Sequence, residues 1–500
     1  MMAMLAILAL EAGAVKAQKP AHPSIASPPA PRPTAIGPRL SLSLADAVFI
    51  GLRDNRTVKS AYIDRISQKF DLFVAEARFR PTAVLTASSE ATWQGPAGGT
   101  ATTLTPTASW LIPTGAQFQF AWSRLDSRSG GVDVGTNTAT LSVTQPLLKG
   151  AGLATNMAPV KVARLQEKID HLALKSTVSS TVTGIVTAYR ALLQAQQQLV
   201  IAQDSLDRAR TQLQSNQALI DAGRMAAADL VQTQADIANQ QVALLAAEQQ
   251  RNSAQLGLLR LLAMDLHTNV VAADPVATIH VAIDLDRAIA IALDNRMDLL
   301  SQRMTLEQDR QNLIVARNNR LWSLSVVGSL QHQTQQGGGS LVLNPVTGLP
   351  VPGVNAPLVG LPANSGSVGV ELSIPLGDFS LRQQEIQAGA TLHSQEIQLA
   401  DLGQQIEAEV RDAVQGVELS WRQVEAARQA RDLAARTLEL ERERQQAGRA
   451  SNFEVLSFET DLRAADTQAL AASIAYLNAL TTLDEQLGTT LDTWKVSLND

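Results

Sequence analysis

The chain has 500 residues, 45% of them hydrophobic, with a formal net charge of −6 and no cysteine. It is too long for one ordinary domain unless it is built from repeats. Disulfides and thiolate metal sites are excluded, and neither the charge nor any basic cluster suits a nucleic-acid partner. No apolar run reaches the ~20 residues of a membrane-spanning helix; the best, 185–200, carries Arg190 and four glutamines. A membrane-spanning part would have to be made of strands.

Residues 1–17 read as an export signal. Met1 to Leu10 is apolar, and Val15-Lys16-Ala17 is a small-x-small cleavage site before Gln18. No Lys or Arg precedes the apolar stretch and Glu11 closes it, so a buried N-terminal helix is the alternative. Residues 18–39 hold seven prolines and no periodicity, and read as a Pro-rich leader.

A first folded segment spans 40–264. Ser43 or Asp46 caps a helix expected to run to about Phe79, where Pro81 stops it. A strand is expected over Thr82 to Trp93, a Gly/Thr/Pro-rich loop over 94–105, and a strand over Thr107 to Ile112. A turn at Pro113-Thr114-Gly115 leads to a strand over Gln117 to Trp122, on which Phe118, Phe120 and Trp122 share a face because strand side chains alternate. A polar loop at 125–136 precedes a last strand, Thr138 to Thr144. Helical periodicity then runs from about Ala158 to Ile220, ~62 residues and about 93 Å long. The run breaks at Ala222-Gly223-Arg224, and a second helix covers about 227–264. A helix this long must pair along its length, and the helix turning back at Gly223 is the obvious partner.

A linker, 265–282, contains Asp274-Pro275, with an extended piece expected from Thr278 to Ile283. The plan then restarts over 283–487. Ile283-Asp-Leu-Asp-Arg-Ala288 repeats Leu42-Ser-Leu-Ala-Asp-Ala47, and Ala292 to Leu299 repeats Gly51 to Val58 at the same offset. Strands are expected at 323–331 and 367–374, separated by a long loop at 335–365. A ~65-residue helix leads to a second Ala-Gly-Arg, at 447–449, and a shorter helix closes the repeat. Residues 488–500 are a tail. The stretch 81–146 is longer than its counterpart 322–375 and has room for an additional hairpin, which leaves four to six strands per chain. Neither number closes a barrel alone, and an open sheet exposes its edges. Several copies pooling strands into one barrel would remove them, which favours a homo-oligomer.

This order of elements, repeated twice, resembles the TolC-like outer membrane factor family over about residues 40–490. The phrases that carry the resemblance are Ala292-Leu293-Asp294-Asn295-Arg296-Met297-Asp298-Leu299, Ser142-Val-Thr-Gln-Pro-Leu-Leu-Lys-Gly-Ala-Gly152 and Leu372-Ser-Ile-Pro-Leu-Gly-Asp378. Met297 and Arg56 stand where that family usually has proline. The resemblance implies a mixed α and β membrane protein: a homotrimer in which each chain gives four strands to a twelve-stranded outer-membrane barrel. Long coiled-coil helices would continue it as a periplasmic tunnel. The implied function is the passive outer-membrane channel of a tripartite efflux pump or type I secretion system, opened by a periplasmic adaptor and an inner-membrane transporter. A coiled-coil scaffold without a pore is the alternative.

By the same resemblance, the turns at Gly223, Arg224, Gly448 and Arg449 are the periplasmic tips where the adaptor docks, and Asp229 and Glu454 are carboxylates at the tunnel entrance. Carboxylates ringed round a narrow mouth would favour cations and raise one another's pKa. Ser451-Asn-Phe-Glu454 is also a capping-box pattern. The family's tyrosine, arginine and aspartate near the second turn are replaced here by Gln445, Ala450 and Ser457. Trp93, Trp110, Phe118, Phe120, Trp122 and Trp322 are candidates for the aromatic belts of a membrane barrel that contacts lipid. The six histidines are scattered without metal-ligand spacing, and Gly130-Gly-Val-Asp-Val-Gly135 reads as a loop. No cofactor and no enzyme activity are expected.

Overall fold

The computed structural model describes residues 39–498 apart from 95–96, 130–131, 224–225, 227, 338–340, 344–349 and 353–361. The expected signal at 1–17 and all but the last residue of the leader at 18–39 lie outside the described residues.

The chain opens with β1 (Leu40–Leu42) and α1 (Leu44–Asp54). Ser43 caps α1 in a reciprocal box: its hydroxyl accepts the Asp46 N–H, and the Asp46 carboxylate accepts the Ser43 N–H, both at 3.2 Å. The single helix expected up to Phe79 is in fact two. Asn55 interrupts it, and its side-chain oxygen accepts the N–H groups of Thr57 and Val58 to start α2 (Arg56–Ala77). Asparagine suits this role because its short side chain competes with the helix for backbone donors.

Four strands follow: β2 (Thr82–Gln94), β3 (Ala97–Leu111), β4 (Gln117–Ser129) and β5 (Val132–Pro146). The loops expected at 94–105 and 125–136 are therefore largely strand. So is Val132 to Gly135 of the motif read as a loop, whose Gly130 and Gly131 lie outside the described residues. Next come α3 (Leu153–Asp221) and α4 (Ala228–Leu261), then β6 (Val270–Ala272), which pairs in parallel with β1. The extended piece expected at 278–283 forms no strand. It is pinned instead by Tyr476, whose hydroxyl donates to Ile279 O at 2.7 Å and accepts the Val281 N–H at 3.1 Å.

The second repeat has α5 (Leu285–Asn295), α6 (Met297–Asn319), β7 (Ser323–Gly337), the short pair β8 (Leu341–Leu343) and β9 (Pro350–Pro352), and β10 (Ala363–Ser373). It closes with α7 (Ser380–Gln446), α8 (Asn452–Leu487) and α9 (Thr490–Thr493). The break between α5 and α6 at Arg296 matches Asn55, so both helix starts form without the family's usual proline.

Six long strands make one antiparallel sheet in the order β10-β7-β5-β4-β3-β2. This exceeds the four strands per chain that the resemblance implies. The surplus hairpin is β3–β4, in the first repeat. Beneath the sheet, α3 and α7, with 69 and 67 residues, extend for about 100 Å each. In the half nearer the sheet α2 packs on α3, α3 on α6 and α6 on α7; in the other half α4 and α8 take the places of α2 and α6.

The apolar core sits at mid-height, where each repeat changes partner. Val182, Ile185 and Leu192 of α3 meet Leu258 and Leu262 of α4 beside β1 and β6. Tyr189 locks this layer: its hydroxyl donates to Leu42 O at 2.9 Å or Asp274 Oδ2 at 2.8 Å and accepts the Ala273 N–H at 3.1 Å. Burial pushes its pKa up to about 12. Arg190, the charge that breaks the apolar run at 185–200, donates to Leu477 O at 2.5 Å and Thr481 Oγ1 at 2.6 Å, joining α3 to α8. Burial lowers its pKa to about 10.

Candidate functional site: helix tips and sheet faces

Both long helices end in the same way. Gly223 and Gly448 have φ of 71° and 72°, a left-handed conformation open to glycine without steric cost. The Gly448 N–H donates to Gln445 O at 2.9 Å and the Arg449 N–H to Arg444 O at 2.8 Å, the paired bonds of a Schellman turn. The Gly223 N–H makes the corresponding bond to Ile220 O at 2.8 Å. Arg224 lies outside the described residues, and Asp229 is the second residue of α4.

Glu454 takes up its cap. Its Oε2 accepts the Ser451 N–H at 2.7 Å and the Ser451 hydroxyl at 2.9 Å, and Ser451 Oγ accepts the Glu454 N–H at 3.3 Å. The Ser451 N–H, and after it the hydroxyl, hold the carboxyl below its ordinary 4.5. Within a single chain this local effect is opposite in sign to the mutual repulsion expected of a carboxylate ring. The side chain is exposed, so the cap and a position facing water coexist.

Within about three turns of the tip glycines lies a buried cluster of which the sequence points to Gln445 alone. Gln212 and Asn216 of α3, Thr233 of α4, Gln445 of α7 and Asn452 of α8 are all buried. Gln212 Nε2 donates to Asn216 Oδ1 at 2.9 Å and to Gln445 Oε1 at 3.0 Å. Asn216 Nδ2 donates to Thr233 Oγ1 and Asn452 Oδ1, each at 2.8 Å. The cluster thus ties both hairpins of the chain together. Gln445, which stands where the family has tyrosine, is part of it. Beside it Arg208 of α3 and Arg442 of α7 both hold Glu459 of α8. Arg208 and Arg442 also line a groove of about 790 Å³ between α3 and α7 that reaches Asp204 and Leu219.

The sheet has two chemically different faces, because residues opposite one another in the ladder share a side. Trp110 is opposite Phe118, Phe120 opposite Leu141, and Leu141 opposite Leu330. With Val368 and Val370 of β10 they build an apolar face. The intervening positions are mostly polar: Ser109 opposite Gln119, Gln119 opposite Ser142, Ser142 opposite Ser329, Ser329 opposite Ser367. The apolar residues climb across the sheet, from Leu324 to Leu330 on β7 to Leu85 to Trp93 on β2, as tilted strands require.

Of the aromatic candidates, Phe118, Phe120 and Trp122 alternate along the apolar face of β4. Trp110 packs on Phe118 with ring centroids 5.6 Å apart, and its Nε1 donates to Phe79 O at 2.9 Å. Trp322 sits at the helix side of the sheet just before β7, and Trp93 near the opposite end of β2. Beyond Trp122 the same face becomes charged, with Arg124 paired to Asp126 at 2.9 Å and Arg128 to Asp133 at 2.5 Å. Among the described residues, no helix is long and apolar enough to cross a membrane and no cluster could hold a metal ion.

The family model for outer membrane efflux protein matches residues 74–264 and 288–489. Among solved structures, the fold is similar to the CmeC outer membrane channel of Campylobacter jejuni, with a TM-score of 0.65 at 15% identity, covering 89% of this chain and 86% of that one. It is similar to the outer membrane protein VceC of Vibrio cholerae, with a TM-score of 0.66 at 15% identity, covering 89% and 96%. The open state of the MtrE outer membrane channel of Neisseria gonorrhoeae gives a TM-score of 0.64 at 15% identity, covering 90% and 89%. Against curated protein sequences there is no significant match.

Proposed function

The chain belongs to the outer membrane efflux protein family, and from this premise we propose how its parts work as the outer-membrane channel of a tripartite export system. Three copies pool their sheets into one barrel and their helices into one tunnel reaching into the periplasm. The observation that carries this reading is a six-stranded sheet, apolar on one side, lined mostly with Ser, Thr and Gln on the other and, among the described residues, unpaired at both edges, above helices about 100 Å long. An apolar outer face satisfies lipid, a polar inner face holds water, and closure into a ring removes the edges.

Transport through such a conduit is passive. The tip turns at Gly223, Arg224, Gly448 and Arg449 are the contact points for a periplasmic adaptor, and an inner-membrane transporter supplies the energy. Asp229 and Glu454 line the entrance and give it a preference for cations. In the single chain the cap holds the Glu454 carboxyl below its ordinary 4.5. Trp110, Phe118 and Trp322 form the aromatic belt at the periplasmic interface, Phe120 and Trp122 continue it upward, and Trp93 marks the opposite side. Residues 1–17 direct export and 18–39 are a leader.

The test is detergent extraction with mass measurement, followed by planar-bilayer recording. A trimer that conducts is expected, and a soluble monomer overturns the reading. In the conducting trimer, Asp229→Lys together with Glu454→Lys should shift selectivity toward anions. Unchanged selectivity would remove both residues from the pore.

A further inference from the structure

We propose that the barrel is eighteen-stranded, with all six long strands of each of three chains in the wall and β2 of one chain paired to β10 of the next. The inference rests on the channel reading above and concerns its strand number.

The surplus hairpin β3–β4 is a full part of the sheet. It pairs with β2 on one side and β5 on the other along nearly its whole length. It also keeps the two-faced alternation of its neighbours, with Leu104, Trp110, Phe120 and Trp122 on the apolar side and Thr105, Gln119 and Ser123 on the polar side. A hairpin folded into a water-filled lumen would put Phe120 and Trp122 in water.

Its turn is built into the helix junction below. Gly115 has φ of 98°, and a Cβ there would lie 2.3 Å from Gly150 O. The Gly152 N–H at the start of α3 donates to Thr114 O at 3.1 Å, and Ala116 is buried. The hairpin cannot leave the wall without breaking the junction that carries the chain into α3.

The edges also fit one another. Successive strands are antiparallel and six is even, so β2 and β10 run in opposite directions, and a ring closed through them is antiparallel throughout. The helical layer ends at the same two flanks. α2 leads into β2 and α7 leaves β10, and beside the sheet, among the described residues, the long-helix neighbour of each lies on one side, α3 for α2 and α6 for α7. Ile63, Ile66 and Phe70 of α2 and Ile386 and Ile397 of α7 stand exposed there. A second copy joined through the strand edges covers both.

The widths agree as well. Six strands spaced about 4.8 Å apart and tilted about 40° cover about 38 Å of circumference. The four helices beneath them, about 8–10 Å apart, cover about 32–40 Å. Four strands would cover only about 25 Å. Six strands carry the tunnel through the membrane without narrowing it, which leaves the helix tips as the tightest point of the path.

The experiment is electron cryomicroscopy of the full chain in lipid nanodiscs, with strands counted in the barrel cross-section. Eighteen are expected. A conducting trimer with twelve overturns this inference and leaves the channel reading intact, whereas the absence of any barrel overturns the channel reading itself. A second readout uses the native absence of cysteine. Gln119→Cys should react with a water-soluble maleimide entering through the lumen, and Phe120→Cys should not. Equal labelling of the two would place the hairpin in water and overturn the proposal.

Discussion

The side-chain amide of Asn216 donates to Asn452 Oδ1 at 2.8 Å, across 236 positions of sequence. That bond joins the hairpin of the first repeat to that of the second just behind their turns. Both residues are buried, and a buried amide deprived of its partner costs about 1–3 kcal/mol. Asn216→Ala removes a hydrogen-bonding hub for Gln212, Thr233 and Asn452 at once. The expected outcome is faster amide exchange at the ends of α3 and α8, with higher resting conductance in planar bilayers as the hairpins separate. Faster exchange without a conductance change would show that the cluster stabilises the hairpins and does not hold the entrance shut.

The two sheet faces give a sharper contrast, because in the proposed barrel adjacent residues of one strand lie in different solvents. Leu330 is on the apolar face of β7, 63% exposed in the single chain, and Ser329 is on the polar face. Leu330→Arg should destabilise the folded barrel by about 2–4 kcal/mol, the cost of a cation facing lipid at mid-membrane. Ser329→Arg faces the lumen and should be tolerated while altering ion selectivity. Urea-driven unfolding from vesicles, read as heat-modifiable gel mobility, measures the first effect, and single-channel recording the second. Equal destabilisation by both would mean that the two faces do not meet different media.

How much of this was legible in the sequence depended on how much apolar area each element buries. The long helices and both Ala-Gly-Arg turns read clearly, because a stripe buried over ~60 residues repeats many times at helical spacing. The strands read only where one face carries apolar side chains in alternation. From Ala97 to Thr103, β3 carries only Ala, Gly and Thr on both faces, so no alternation marks it and it passed for loop. Its strand identity comes from its ladder partners on β2 and β4, which lie elsewhere in the chain. The break at Asn55 had a local signal, an N-cap residue before Thr57 and Val58, hidden in an otherwise continuous helical pattern. The tip cluster, Gln445 apart, had none. Gln and Asn are frequent along these helices, and Gln212 or Asn216 is set apart only by the helices packed over it.

Gly115 ties the surplus hairpin to the start of α3, and the substitution Gly115→Val tests that junction. Valine there would take a left-handed φ and drive its Cβ into Gly150 O. For a β-branched residue the backbone strain alone costs about 1–3 kcal/mol, and the clash adds to it. A folded trimer is expected in lower yield, with a lower temperature of dissociation in gel-shift assays. Because Gly152 has nothing within 4 Å of a Cβ, Gly152→Ala bears only the strain of its own positive φ and should be milder. If Gly115→Val were as stable as the native chain, the turn would not be fastened to the junction.

The cap on Glu454 makes the second tip sensitive to acid. Its carboxyl titrates below the ordinary 4.5 because the Ser451 N–H and hydroxyl bond to the ionised form. A group whose folded pKa is depressed stabilises the fold above its unfolded value, and the contribution fades as pH falls through the folded value. The cap is therefore complete at neutral pH, weakens as pH drops below 4.5 and is lost in stronger acid. A spin label on Ala450→Cys, the only thiol in the chain, should gain mobility over that interval. Glu454→Gln keeps a side chain that can accept the Ser451 N–H but does not titrate, so its label mobility should stay flat over the same range. A transition that persists in Glu454→Gln would assign the acid sensitivity to another group.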